Sequence, residues 1–187
     1  MTQIRAMTEQ DVPSVSLLIG ESWRRTYSPI MGAETAALIS DEDHTLQRIA
    51  AELTATNKMS FVAERPDGSI AGYAMAKMNE AGDVMLDRLH IDQSEYGTGL
   101  AANILHAVFA AHSGIPSIAL EVLEGNDRAM AFYRKHGSQG RVARCRRPCI
   151  VDYAQTAISR LVGTRASNST SRLPSPAHRR PPRSQSK

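Results

Sequence analysis

The chain has 187 residues, of which 42% are hydrophobic, which suits one domain with a sizeable core. It contains no run of about 18 apolar residues, so no membrane-spanning helix is expected. The net charge of +3 hides a split: eleven Lys and Arg against the single acid Asp152 beyond residue 137, and a balance of −7 before it.

The N-terminus, MTQIRAMTEQDV, lacks the apolar segment of a signal peptide, which makes the cytoplasm the expected location. Gln3 to Arg5 reads as a first strand. Val12, Val15, Leu18, Ile19 and Trp23 then fall on one helical stripe. Thr8 or Asp11 is placed to cap that helix; Pro13 belongs in a first turn, which favours Asp11. The helix is expected to end through Pro29 and Gly32, and a second helical region to close on Leu46, Ile49, Ala50 and Leu53.

Residues 59–64 and 69–78 flank Pro66-Asp67-Gly68, a hairpin turn in which proline sets φ and glycine takes a positive φ. Residues 84–91 make a further strand. Leu100, Ile104, Leu105 and Val108 mark a helix that stops near Gly114 and Pro116, and residues 117–123 follow as another strand. Asn126 can cap a helix carrying Ala129, Phe132 and Tyr133, with Arg134, Lys135 and His136 at its C-terminal dipole and Gly137 ending it. The order is an α/β or α+β arrangement, a mixed sheet with helices on both faces.

The stretch 97–102, Gly97-Thr98-Gly99-Leu100-Ala101-Ala102, fits a dinucleotide-binding pattern, and Glu121 or Glu124 lies about 20 residues on. Such a fold places its first glycine directly after the strand. Here Asp92 to Tyr96 intervene, and only one β-α-β unit is present. The same glycines suit another anion site. They lead into a helix whose first-turn N–H groups lack intrahelical acceptors and carry partial positive charge, with a backbone uncrowded enough for a diphosphate.

The run from Leu89 to Leu105, followed by Leu120 to Gly137, resembles the GNAT superfamily of N-acetyltransferases. Tyr96-Gly97-Thr98-Gly99-Leu100-Ala101 is similar to its acyl-CoA loop, Q/R-x-x-G-x-G/A, with Tyr96 in place of the usual Gln or Arg. Asn126, Ala129, Phe132, Tyr133, Lys135 and Gly137 match six of the seven fixed positions of a second signature, with Ser138 where phenylalanine is usual. Ser22 to Tyr27 also looks like the family's acceptor-side helix.

The resemblance implies a mostly antiparallel mixed sheet in which two parallel strands, here 84–91 and 117–123, splay apart around the thioester. It implies acetyl-CoA as co-substrate, transfer to a primary amine of a small molecule or protein within a ternary complex, and no metal. The CoA arm would run along Leu89, His90 and Ile91, with its phosphates on residues 96–101. Asn126 would contact the arm with its amide N–H while its oxygen caps the helix. Tyr133 would protonate the leaving thiolate, since a phenol near pKa 10 is neutral yet can donate to a thiolate near 8.5. Asp87 and Glu121, one on each splayed strand, are both candidates for the general base. Trp23, Tyr27 and Tyr73 are candidates for the acceptor pocket, and a homodimer is also compatible with the resemblance.

The family pattern holds to about residue 137 and the domain is expected to close near 162, with 138–162 divergent in a manner that a frameshift would produce. Residues 163–187, rich in Ser, Arg and Pro, are expected to be a disordered basic tail. A basic arm can bind nucleic acid or an acidic partner. No aromatic interleaving or recognition motif accompanies it, so this stands as the alternative: a CoA-binding scaffold with an interacting tail. Cys145 and Cys149 lack a second ligand pair in the sequence, which speaks against a zinc site and for free thiols.

Overall fold

A computed structural model describes residues 1–115 and 117–137, together with the backbone of 149–154. Cys145, Pro116, the divergent segment apart from 149–154, and the basic tail lie outside the described residues. The elements are β1 Gln3–Ala6, α1 Val12–Met31, α2 Ala33–Asp43, α3 Leu46–Thr54, β2 Lys58–Glu64, β3 Ile70–Met78, β4 Val84–Ile91, α4 Leu100–Ala111, β5 Ser117–Val122, α5 Asp127–Lys135 and β6 Cys149–Ala154. The sheet follows chain order, β1-β2-β3-β4-β5-β6. Only β4 and β5 are parallel, and all other neighbours are antiparallel.

Helices cover both faces. On one, Ile104, Leu105, Val108 and Phe109 of α4 pack with Val84, Leu86, Leu120 and Tyr133. On the other, Val15, Leu18 and Ile19 of α1 and Ile49 of α3 meet Val62, Tyr73 and Met75. Ile19 and Ile104 are fully buried, each contributing about 2–3 kcal/mol by removal from water.

Three expectations about the N-terminal helices need correction. First, α1 ends at Gly32 as expected, its φ of 90° stopping the helix and its N–H bonding Ser28 O at 3.0 Å, but it runs through Pro29. Proline there cannot bond the Arg25 carbonyl, yet a neighbouring turn continues the helix. Second, the next helical region is two helices, separated at His44, with Thr45 capping the second through Arg48 N. Third, Asp11 does not cap α1 with its side chain. Its carboxylate accepts from Arg5 Nη1 and Nη2, at 2.7 and 2.8 Å, and from Thr8 N. Arg5 foremost, with the Thr8 bonds helping, holds Asp11 at a pKa of about 2 against the burial that opposes this.

Candidate active site

The site begins where the sheet comes apart. β4 and β5 pair only at Val84↔Ile118, Met85↔Ala119 and Leu86↔Leu120. On the other side of β4, Ala76 faces Leu86 while Met75 faces Arg88, so Asp87 is an extra residue in that strand. Such a bulge bends its strand and strengthens its twist. It sits where the ladder to β5 stops. It also resets the alternation, so that Leu89 returns to the α4 side with Leu86, and Arg88 and His90 turn to the other face, toward α3 and the end of α2.

The divergence opens a cavity of about 260 Å³. Its α5 wall includes Asn126, Ala129 and Tyr133, and its strand walls include Leu86, Leu89, Glu121 and Val122. From the other face come Trp23, Tyr27, Asp43, His44, Arg88 and His90. Thus residues 100 positions apart in sequence share one chamber that passes through the gap between the strands.

Gly97-Thr98-Gly99 lies at the N-terminus of α4. The five residues separating Ile91 from Gly97 are structured: Asp92 Oδ1 accepts from Ser94 N at 2.8 Å and opens a single turn of 3₁₀ helix, Gln93–Glu95. Arg65, at the end of the β2–β3 hairpin, braces that turn through Glu95 Oε1 at 3.0 Å and Ser94 Oγ at 2.9 Å. Gly97 and Gly99 have φ of 83° and 90°, and a Cβ on either would meet nothing within 4 Å. Leu100 N donates to Thr98 Oγ1 at 3.3 Å, so the threonine occupies one first-turn N–H, and Ala101 presents only a methyl group. A helix N-terminus opened by glycines in this way can cradle an anion.

Asn126 caps α5, with Oδ1 accepting from Ala129 N at 3.2 Å. Its Nδ2 donates one of its two hydrogens to Tyr27 Oη at 3.4 Å, which ties α5 to α1. Burial raises the pKa of Tyr27, opposed by that bond. Tyr133 is 8% exposed and stacks edge-on to Phe132 at 5.1 Å. Trp23 packs on Tyr27 at 4.1 Å and on His44 at 5.3 Å, and its Nε1 donates to Ala36 O at 3.1 Å.

The two carboxylate candidates differ. Asp87 is ion-paired with Lys77 at 2.5 Å. Glu121 is exposed, and its side chain makes no hydrogen bond or ion pair with another described residue. Tyr73 does not reach the cavity: it is 1% exposed within the α1–α3 core, its hydroxyl 3.3 Å from Ser60 Oγ. Ile91 is likewise a core residue, so only its main chain can face a ligand.

Sequence reasoning missed His44 and Asp43, which reach the chamber because α2 ends there. It also gave His90 no partner. The rings of His44 and His90 are 6.4 Å apart. Burial first, then His44 and the nearby arginines, lowers His90 to a pKa of about 3. Burial first, then Arg88, lowers His44 to about 4, against the pull of Asp43. Both are therefore neutral at neutral pH. Arg88 itself is neutralised by a bidentate pair with the buried Glu52 of α3.

No helix is long and apolar enough to cross a membrane among the described residues. Residues 20–138 match the family described as Acetyltransferase (GNAT) family. An uncharacterized N-acetyltransferase of Mycobacterium bovis and one of Mycobacterium tuberculosis are each 32% identical over 129 residues, which is 68% of this chain and 82% of theirs. Among solved structures, the PaiA N-acetyltransferase of Thermoplasma acidophilum in complex with coenzyme A superposes with a TM-score of 0.75 at 19% identity, covering 82% of this chain and 99% of that one. The ribosomal-protein-S18-alanine N-acetyltransferase of Escherichia coli gives 0.60 at 16%, covering 82% and 94%. The splayed strands, the glycine cradle at α4 and the extent of these matches lead to one conclusion: the chain belongs to the GNAT family of acetyltransferases.

Proposed function

We propose that this chain transfers an acetyl group from acetyl-CoA to a primary amine by direct attack. The observation that carries the reading is that the diverging ends of β4 and β5 and Tyr133 of α5 line one chamber, while β4 leads on through a short turn to the glycine-opened N-terminus of α4. The main chain of Leu89 to Ile91 lacks a partner strand on the β5 side and is suited to bond the amides of the pantetheine arm. The diphosphate fits against Gly97 to Ala101.

The acceptor half of the chamber is formed by Trp23, Tyr27, Asp43, His44 and His90. Aromatic faces attract an ammonium, and the two neutral imidazoles do not repel it, while Asp43 is already paired with Arg48. The acceptor is therefore a cationic amine before it loses its proton. Glu121 takes that proton through water; Asp87, already held by Lys77, is the poorer base. The amine lone pair attacks the thioester carbonyl, whose oxygen accepts a hydrogen bond from the β4 main chain as negative charge develops. The C–S bond breaks as Tyr133 donates its phenolic proton to the departing sulfur, and the proton that the acylated nitrogen sheds passes through solvent to restore the Tyr133 phenol.

The test is acetyl-CoA-dependent release of free thiol with a panel of amines, alongside thermal shifts with acetyl-CoA and with NAD. A ligand that binds only the native state raises the melting temperature by mass action. A shift with acetyl-CoA and thiol release with at least one cationic amine are expected. A shift with NAD and none with acetyl-CoA would overturn the reading.

A further inference from the structure

Tyr96 stands where the family usually has Gln or Arg, immediately before the glycines of the cradle. Its hydroxyl accepts from Arg25 of α1, at 3.3 Å from Nε and 3.0 Å from Nη2. The guanidinium of Arg128, in the first turn of α5, lies over its ring. One aromatic side chain thus gathers cations from two helices that are remote in sequence, next to the loop that faces the diphosphate.

The company these arginines keep is unusual for this molecule. Arg5, Arg24, Arg48, Arg65 and Arg88 each pair with a carboxylate. Among the described residues, Arg25, Arg128 and Arg134 do not and are exposed, and of these three Arg25 and Arg128 are the two held against Tyr96. A phenol orients a guanidinium through a hydrogen bond or a cation–π contact without cancelling its charge. The two positive charges are held in place and remain available to an anion.

Resting on the acetyl-CoA reading above, we propose that Arg25 and Arg128 bind a phosphate of acyl-CoA, with Tyr96 as the residue that positions them. Where relatives carry a Gln or Arg side chain within the loop, two cations are supplied here from α1 and α5. Tyr96 is a platform and not itself a phosphate ligand.

The experiment is isothermal titration of the full chain with CoA and with dephospho-CoA, which keeps the diphosphate and lacks the ribose 3′-phosphate. The variants are Arg25→Ala, Arg128→Ala, Arg128→Lys and Tyr96→Phe, each with its melting temperature measured without ligand. Each arginine truncation is expected to weaken CoA about tenfold, as for loss of one charge-assisted contact. Arg128→Lys should recover part of the loss, and Tyr96→Phe, which keeps the ring but not the bond to Arg25, should resemble Arg25→Ala. A loss confined to CoA assigns the ribose 3′-phosphate; an equal loss with dephospho-CoA assigns the diphosphate. Arginine variants that bind both ligands within twofold of the parent overturn the proposal, as does a fall in melting temperature with unchanged affinity, the mark of a purely structural clamp. A parent chain that binds neither ligand would instead overturn the acetyl-CoA reading itself, and this proposal with it.

Discussion

Gly99→Ala separates a backbone requirement from a ligand requirement. Gly99 has a φ of 90° and a Cβ built there meets nothing within 4 Å. The folded chain therefore has room for the methyl group and resists only the backbone angle, at about 1–2 kcal/mol. For a chain of this size that lowers the melting temperature by roughly 2–8 °C. Gly68, in the β2–β3 turn, has a φ of 84° and the same open surroundings. Gly68→Ala should thus cost about the same stability. The two differ in what the open space is for. At Gly99 the added methyl group lies in the loop that opens α4, where the proposed function seats the diphosphate. Losing one bond to a charged group, worth about 1.5–3 kcal/mol, weakens binding by at least roughly tenfold. Calorimetric titration with CoA, below both melting temperatures, reads the difference. Equal affinities for Gly68→Ala and Gly99→Ala would refute the placement of the diphosphate at α4.

Tyr133→Phe removes the proposed acid while keeping the ring that packs in the core; kcat should fall by about 10²-fold or more with CoA affinity little changed, as measured by steady-state thiol release. A loss of CoA affinity without a loss of kcat would argue against proton donation. Glu121→Gln should lower kcat by about 10²-fold in steady-state thiol release, whereas Asp87→Asn should leave it within a few-fold of the parent; the opposite pattern would move the base to β4. Stability should fall with acid from about pH 6.5, because the unfolded histidines take up protons there while His44 and His90 resist until about 4 and about 3. Urea unfolding between pH 7 and pH 4 measures this, and His44→Gln should flatten the dependence; an unchanged slope would mean that His44 is not held neutral.

Much of the fold was legible because its elements obey local rules. The strand at 84–91, the cap at Asn126 and the stop near Gly114 each rest on neighbouring residues, and the structure has them where pattern reading puts them. Pro29 misled because a helix already anchored by Val15, Leu18 and Ile19 tolerates one missing hydrogen bond near its end. The bulge at Asp87 is invisible in one strand, since it is defined by its register against β3. Tyr73 looked like a pocket residue because an aromatic on a strand carries no mark of which sheet face it occupies. His44 and Arg25 act through partners 46 and 71 positions away, distances that no local pattern spans.

The gap between β4 and β5 has one more consequence. Beyond Leu86 and Leu120 each strand has a ladder partner on one side only, so the middle of the sheet contains two strand edges facing each other. Exposed edges at the rim of a sheet invite pairing with other chains and aggregation. These two are recessed, with α1 over one face and α5 over the other. A second protein would have to bring a full strand with its side chains into that slot. A slender molecule carrying a few amides needs only its own width. The protein thus keeps hungry backbone groups open to a ligand while closing them to its neighbours.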